Sequence, residues 1–546
     1  MTAVVAAAET AMERFDRHMV EATGYVLEDY RLIRDSPLTC LERMQLYGTL
    51  VDESGAVQAL EKYDREDRKS NAGRKPLFTF RAVLILYMMH IDDKNNRYDH
   101  IARTLYAQMT PETRAYLELP KKWGSKRDWY CRYWRAMNRV LELCEPWKVD
   151  KKHHLTAKQY KRALKSYSQS KRDRMDELMN MLVHATVRRL PADIRATYSG
   201  NIAIDGTLIE VAGRPNPGKN YDHEDRRNLD AMSGRYRRGG KHDGKGKVTD
   251  KAGWEMQTVV TVPNSPKQPN SFPILTTGLA FHQPGRIKHG PRIAMEAHAR
   301  EFTERGYMMA DRAYNGLTTP GFQLPTRQMG FRGVYNYKKK ESDVQGAIDD
   351  VIFIGGRPYV KWMPPAQKTA RKDFLDGKIT REAYESLIEK RKAYELKDKG
   401  KPAADGSQRF TYPDLSKAMC IDPATEDRVV KPKLKKTTFT LHPNTEEAMR
   451  VIKHLSGFAF KSEQWKEWHG LRSHVESNNQ YVKADAETDL GNPEKRRARG
   501  YAYHALTSAM AFAVSNMRRI VSFIEAQAVA ALGERELRQR MRNRTE

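Results

Sequence analysis

A chain of 546 residues, 39% hydrophobic and 30% charged, reads as globular rather than disordered, and it is too long for one core, so roughly three or four domains are expected. Lys and Arg number 96 against 69 Asp and Glu, a net charge of +27 with a pI near 9.7. That field favours polyanions, nucleic acid first and an anionic membrane surface second, and it is silent about fold.

Cys40, Cys131, Cys144 and Cys420 form no C-x2-C pair, which argues against a cysteine zinc site or a disulfide framework and fits a reducing compartment. The longest apolar run, 82–89, is far short of a membrane span. The Ala-rich start lacks the positive n-region of a signal peptide and is interrupted by Glu9. The expectation is a cytoplasmic protein with no membrane partner.

In chain order, 1–70 reads as amphipathic helices with charged connectors, to which no chemistry attaches. A basic, turn-like break at 71–76 precedes three helical stretches: 80–91, apolar almost all round; 97–109, with Ile101, Leu105 and Met109 on one face; and 111–119, opened by Pro111. Ser125 is a candidate N-cap for a helix reaching about residue 143. Over 121–135 basic and aromatic residues interleave. Lys121, Lys122, Lys126, Arg127, Arg132 and Arg135 are positioned to meet phosphates while rings pack against sugars. The alternative is a core helix whose basic side chains snorkel outward. Because the preceding helices make a helix-turn-helix-like bundle, 71–195 is read as a DNA-binding region.

The texture changes at Ser199. Residues 201–211 form the first convincing strand, followed by a Gly/Arg/Lys-rich loop at 213–251, strands at 254–262 and 274–281, and a helix at 293–305. A short fourth strand runs into Ala310-Asp311, and 331–337 is a further strand. Together these predict an α/β sheet with one carboxylate on its first strand and another at the end of its fourth. The stretch 341–455 breaks the rhythm with strands flanking Gly355-Gly356, a charged helical pair at 367–398 and a strand at 437–441; it reads as an insertion. A basic turn at 492–499 and an apolar helix at 501–524 follow, and the tail from 534 is charged.

Chemistry concentrates between His469 and Lys483. On a helix advancing about 100° per residue, His469, Arg472, Glu476 and Lys483 fall within about 60° of one another. A carboxylate between an arginine and a lysine suits a divalent metal flanked by phosphate; the plain alternative is an Arg472–Glu476 surface ion pair. Asp205, Asp311 and Glu476 lie on three separate elements. Two-metal phosphoryl transfer calls for hard oxygen ligands of this kind, holding two divalent ions about 4 Å apart across the scissile phosphate. Other signals are weaker. Gly239-x4-Gly244-Lys245-Gly246 lacks the Ser/Thr of a phosphate loop, and His282, His289 and His298 lack ligand spacing.

These motifs resemble the DDE transposases of bacterial insertion sequences, in the group marked by Y-x2-R-x3-E-x6-K. Arg472-x3-Glu476-x6-Lys483 matches that pattern, with His469 at the tyrosine position as the one departure. Asp205-Gly206-Thr207 matches the first-aspartate motif and Ala310-Asp311-Arg312-Ala313-Tyr314 the second, with the carboxylates 106 and then 165 residues apart. The resemblance implies an RNase H-like core in which Asp205, Asp311 and Glu476 are catalytic and bind two Mg2+ ions, for which Mn2+ can substitute. It implies that Arg472 and Lys483 contact phosphates near the cut, and it makes Trp362 the candidate to support a flipped base. The fold expected is multidomain: an N-terminal helical region (1–70), the DNA-binding region (71–195), an α/β RNase H-like core (196–340 and 456–530) interrupted by a mixed strand and helix insertion (341–455), and a charged tail (531–546). The function expected is a transposase that binds the terminal inverted repeats of its element and joins the cut ends to target DNA. It would act on double-stranded DNA as a homodimer or larger synaptic complex at the nucleoid, with no small-molecule substrate. The rivals are a nuclease of the same fold without strand transfer and a non-catalytic DNA-binding protein derived from an element.

Overall fold

The computed structural model describes residues 9–539 except 69, 71–74, 122, 217–226, 239–247, 286–288, 339–340, 342–343, 431, 433, 435, 534, 536 and 538. The break at 71–76, the near phosphate loop at 239–246 and much of the charged tail therefore lie largely outside the described residues.

A mixed six-stranded sheet organises the second half of the chain. β1 (Ile202–Glu210) lies between β3 (Thr249–Thr261), which is antiparallel to it, and β5 (Tyr307–Ala310), which is parallel; β6 (Arg332–Tyr335) continues in parallel beyond β5. On the far side of β3, β2 (Gly234–Arg238) pairs with its first half and β4 (Thr276–His282) with its second. β2 departs from the sequence reading of 213–251 as one loop. Its Arg-Tyr-Arg run carries little apolar signal, and its pairing comes from β3, which begins at Thr249 rather than near Trp254. The second carboxylate consequently follows the fifth strand, not the fourth.

The two faces of the sheet bury different partners. Helix Gly290–Glu301 covers one face, approaching so closely that a Cβ on Gly278 of β4 would lie 1.9 Å from the Ala294 carbonyl oxygen. The other face contributes Ile209, Trp254, Met256, Leu279 and Phe281 to a large core shared with the N-terminal helices and the long helix Tyr501–Leu532. Helices Ala11–Thr23, Phe80–Asp92 and Gln169–Val187 pack directly on that long helix. The two helical regions read from the sequence, 1–70 and 71–195, thus share one core with the sheet.

Buried amides stitch the layers together. Asn516 donates to the Thr276 carbonyl and accepts from its N–H, both at 2.8 Å, and Asn180 accepts from Leu279 N–H at 2.8 Å. A helix that packs against sheet backbone must satisfy such groups, because a buried unpaired amide costs about 1–3 kcal/mol. Among the described residues no helix is long and apolar enough to cross a membrane.

Local chemistry sets the helix limits. Every residue of Phe80–Asp92 except Arg81 is buried, as its apolar circumference predicts, and Thr79 caps it. The stretch expected as one helix at 97–109 is helical only over Tyr98–Arg103 and then widens into a π turn at Thr104–Gln108. The 341–455 segment carries a hydrophobic cluster of its own, from Val351 to Leu455. Within it β7 (Val344–Ile348), β8 (Val351–Ile354) and β9 (Arg357–Val360) form a meander. Gly355 and Gly356, both at positive φ, make the two-residue turn between the last two strands.

Candidate active site

Asp205 sits mid-strand on β1, where the buried Ile-Ala-Ile run gives way to Asp-Gly-Thr. Its Oδ1 accepts from Gly206 N–H at 2.9 Å. Glycine follows for a steric reason: a Cβ there would lie 2.5 Å from Glu255 Oε1 and 2.9 Å from Gln257 Nε2 of β3. The third residue of the motif, Thr207, accepts a hydrogen bond from the Lys483 ammonium.

Asp311 follows β5 directly. Ala310 pairs with Ile204, so Asp311 emerges beside Asp205 across a parallel pair of strands. It is the N-cap of the short helix Arg312–Asn315 and accepts from Arg312 N–H at 2.7 Å. Tyr314 closes the motif from below, its buried hydroxyl donating to Gln257 Oε1 at 2.7 Å. That bond ties the turn carrying Asp311 to β3.

Glu476 lies in the first turn of helix Ser473–Lys483, whose buried side faces the sheet. Two asparagines hold it there: Asn478 donates to Thr276 Oγ1 at 2.8 Å, and Asn479 accepts from Thr258 Oγ1 at 3.1 Å. Thr258 is the residue paired with Asp205, and its hydroxyl also reaches the Asp205 carbonyl at 3.1 Å. Gln257, Thr258, Asn478 and Asn479 were not singled out in the sequence. For the helix, the available signal was a pair of asparagines on the same face as Val475 and Val482.

The single helix expected through His469 is two helices. Glu463–Gly470 ends before Arg472, and i→i+3 bonds from Leu471, Arg472, His474 and Val475 tighten the junction. His469 therefore lies in the last turn of one helix, while Arg472 and Glu476 open the next. The His469 ring stacks on Trp465 at 4.4 Å, and burial first, then the Arg472 charge, push its pKa down to about 4 against the pull of Asp311. Near neutral pH it is an uncharged wall beside Asp311.

Arg472 bridges two of the carboxylates, with Nη2 at 2.8 Å from Glu476 Oε1 and Nη1 at 3.7 Å from Asp205 Oδ2. Burial raises the Asp205 pKa to about 6; Gly206 N–H and Arg472 oppose the rise, while Glu476 and Asp311 repel the charge and add to it. The three carboxylates therefore share one electrostatic neighbourhood. Lys483 is pulled down to about 8 by burial, then by Arg496 and Lys251, with Asp205 and Glu210 opposing. The donor chemistry suits a hard divalent cation: oxygen only, from a strand, a strand-end turn and a helix. As the side chains stand, no group of three or more His, Cys, Asp or Glu among the described residues is gathered to hold a metal ion. Arg472 supplies the positive charge between Asp205 and Glu476 instead.

The candidate DNA-facing residues divide. Ser125 caps helix Lys126–Cys144 in a capping box with Asp128. Trp129 and Tyr133 enter the core, whereas Trp123, Tyr130 and Trp134 stay exposed. Lys121, Lys126, Arg127 and Arg135 are exposed, Arg132 is half-buried with its guanidinium 3.3 Å over the Trp123 ring, and Lys122 lies outside the described residues. Trp362, at 8% exposure, packs in the core of the insertion, so its ring offers no free face for a base. The charged surface predicts a salt-sensitive association with DNA. Replacing Lys121, Lys122, Lys126 and Arg127 together by Ala is expected to flatten the slope of log K against log salt by about 3–4, measured by fluorescence anisotropy. An unchanged slope would move the contact surface elsewhere.

Comparison with protein-family models, with curated proteins and with solved structures finds no match to the chain.

Proposed function

We propose that the chain is a DNA transposase of the DDE type with an RNase H-like core, cutting DNA at the ends of its element and joining the freed 3′-OH to target DNA. The observation that carries the reading is that Asp205, Asp311 and Glu476, distant in sequence, lie near enough for their charges to act on one another, with Arg472 reaching both Asp205 and Glu476. A mixed sheet with the first carboxylate on a central strand, the second just past the neighbouring parallel strand and the third on a packed helix supports the fold assignment.

Bound Mg2+ would neutralise the charge that develops on the phosphate and lower the pKa of the attacking hydroxyl. Asp205 on β1, Asp311 just past β5 and Glu476 on the packed helix would hold the ions, and the hydrogen bonds of Gly206 N–H and Arg312 N–H orient the first two before substrate arrives. Arg472, released from the carboxylates, turns its guanidinium to a non-bridging phosphate oxygen, and Lys483 stands behind it on Thr207. In cleavage, water oxygen bonds to phosphorus as the bond to the 3′ oxygen breaks, and that oxygen takes up a proton. In joining, the 3′ oxygen bonds to a target phosphorus and its proton passes to solvent, while the bond from that phosphorus to the target's own 3′ oxygen breaks and that oxygen takes up a proton. Synapsis of two ends calls for a homodimer or larger complex.

The test is a strand-transfer assay with pre-cleaved ends, target plasmid and Mg2+. Joined products are expected; nicks alone would replace the transposase with a nuclease, and neither product would leave a non-catalytic DNA-binding protein.

A further inference from the structure

We infer that a cleft beyond the far end of β1 holds the sugar–phosphate backbone of the DNA duplex several nucleotides from the reacting phosphate. The cleft, about 730 Å³, opens between the loop that follows β1 and the turn that precedes helix Tyr501–Leu532. Arg214, Arg227, Arg496, Arg497 and Arg499 line it with one carboxylate, Asp230, and a second, Glu494, pairs with Arg497 at 3.0 Å on the exposed rim. Asp230 does not cancel this charge, because its carboxylate is turned into the floor, accepting from Gly500 N–H at 3.1 Å and pairing with buried His504 at 2.8 Å.

The walls are built rather than loose. Asn228 donates to the Arg214 carbonyl at 2.7 Å, and its N–H donates to Asn216 Oδ1 at 2.8 Å. Asn216 in turn donates to the Ser233 carbonyl at 2.7 Å, and both asparagines are buried. On the opposite wall Arg496 donates to the Glu210 carbonyl at 2.6 Å and to its own turn at Asn492, which fixes the backbone that presents Arg497. Arg214 and Arg497 themselves stay exposed at the rim.

Position identifies the occupant. From Asp205 to Glu210 the strand covers about 17 Å, or about five nucleotides at 3.4 Å each along a duplex. Lys483, on Thr207, and Lys251, paired with Glu210, fill the interval, so cations run from the carboxylates into the cleft. A small anion would need one converging pocket; a line of separated cations fits a backbone with regularly spaced charges. The direction of the line rests on the proposed catalytic reading, but the cleft's affinity for DNA does not.

The experiment measures binding of a labelled 30-base-pair duplex of arbitrary sequence by the full chain across a KCl series, comparing wild type, Arg214→Ala/Arg497→Ala and Arg214→Lys/Arg497→Lys. Both arginines are exposed, so the fold is expected to survive, and the lysine pair checks this. The double alanine variant is expected to bind at least tenfold more weakly with a salt slope reduced by about 2, while the lysine pair stays near wild type. Unchanged affinity in the alanine variant would overturn the cleft whatever the catalytic outcome. Displacement of the duplex by inorganic phosphate beyond that by chloride at matched ionic strength would also overturn it, by making the cleft a small-anion site. Loss of binding in the alanine variant alongside a wild type that cuts nothing would uphold the cleft and sink the transposase reading.

Discussion

Replacing Asp205 by Asn, Asp311 by Asn or Glu476 by Gln is expected to lower Mg2+-dependent DNA cleavage by about a thousandfold or more, with DNA affinity nearly unchanged. Each amide keeps the shape of the side chain and removes one anionic oxygen ligand. Losing a metal ligand withdraws several kcal/mol from a transition state whose charge is concentrated at the phosphate, and about 4 kcal/mol is a factor of a thousand. The three variants should fail alike and non-additively, because a site short of one ligand gains little from the other two. Arg472→Ala divides the account differently. It frees Glu476 and Asp205 from their bridging cation, so it should strengthen metal binding while still lowering the rate. Single-turnover cleavage rates check all four; a glutamine at 476 that cuts at the wild-type rate would remove the helix from the chemistry.

The same Asp205→Asn change is expected to stabilise the metal-free protein by roughly 2–3 kcal/mol at pH 7.5 and by nothing near pH 4. The sign follows from the carboxyl's pKa, raised to about 6 in the fold from 3.8. The folded protein binds that proton more tightly than the unfolded chain. The group therefore carries no penalty below about pH 4, destabilises progressively as pH rises to about 6, and holds its full penalty above. Burial is the largest cause, and repulsion from Glu476 and Asp311 adds to it; the Gly206 N–H and the Arg472 charge pull the other way without offsetting the burial. Residues kept at such a cost are expected where a ligand repays it, so Mn2+ should raise the wild-type midpoint and leave the Asn variant unmoved. Urea unfolding at the two pH values reads the effect; an Asn variant less stable at pH 7.5 would mean that Asp205 serves the fold.

What was legible in the sequence was periodic or punctuated. The apolar run of Phe80–Asp92 and the Ser125 cap state their structures locally. Gly355-Gly356 marks its hairpin because only a two-residue turn with positive φ joins strands so tightly. Asp205-Gly206-Thr207 was legible as a motif, but the reason for its glycine lies in Glu255 and Gln257, some fifty residues away on β3. β2 was missed because its Arg-rich strand borrows order from a neighbour. The helix through His469 was drawn straight because 3, 4 and 7 are helical spacings. The tightened turn at Leu471–Arg472 keeps right-handed dihedrals, and Gly470, the last residue of the first helix, is the local sign of the break. Trp362 packs in the insertion's core, and in the sequence an isolated tryptophan reads alike whether it fills a core or faces a ligand. The cleft arginines come from two loops nearly three hundred residues apart, and no local pattern could join them.

The central claim is that Asp205, Asp311 and Glu476 form one divalent-metal site when DNA is bound. Its most direct test is a Mn2+ titration, followed by electron paramagnetic resonance, of the protein bound to a 30-base-pair DNA duplex. The account predicts two ions per chain in the wild type and fewer in Asp205→Asn and Glu476→Gln at equal DNA occupancy. Equal Mn2+ occupancy in wild type and variants would contradict it.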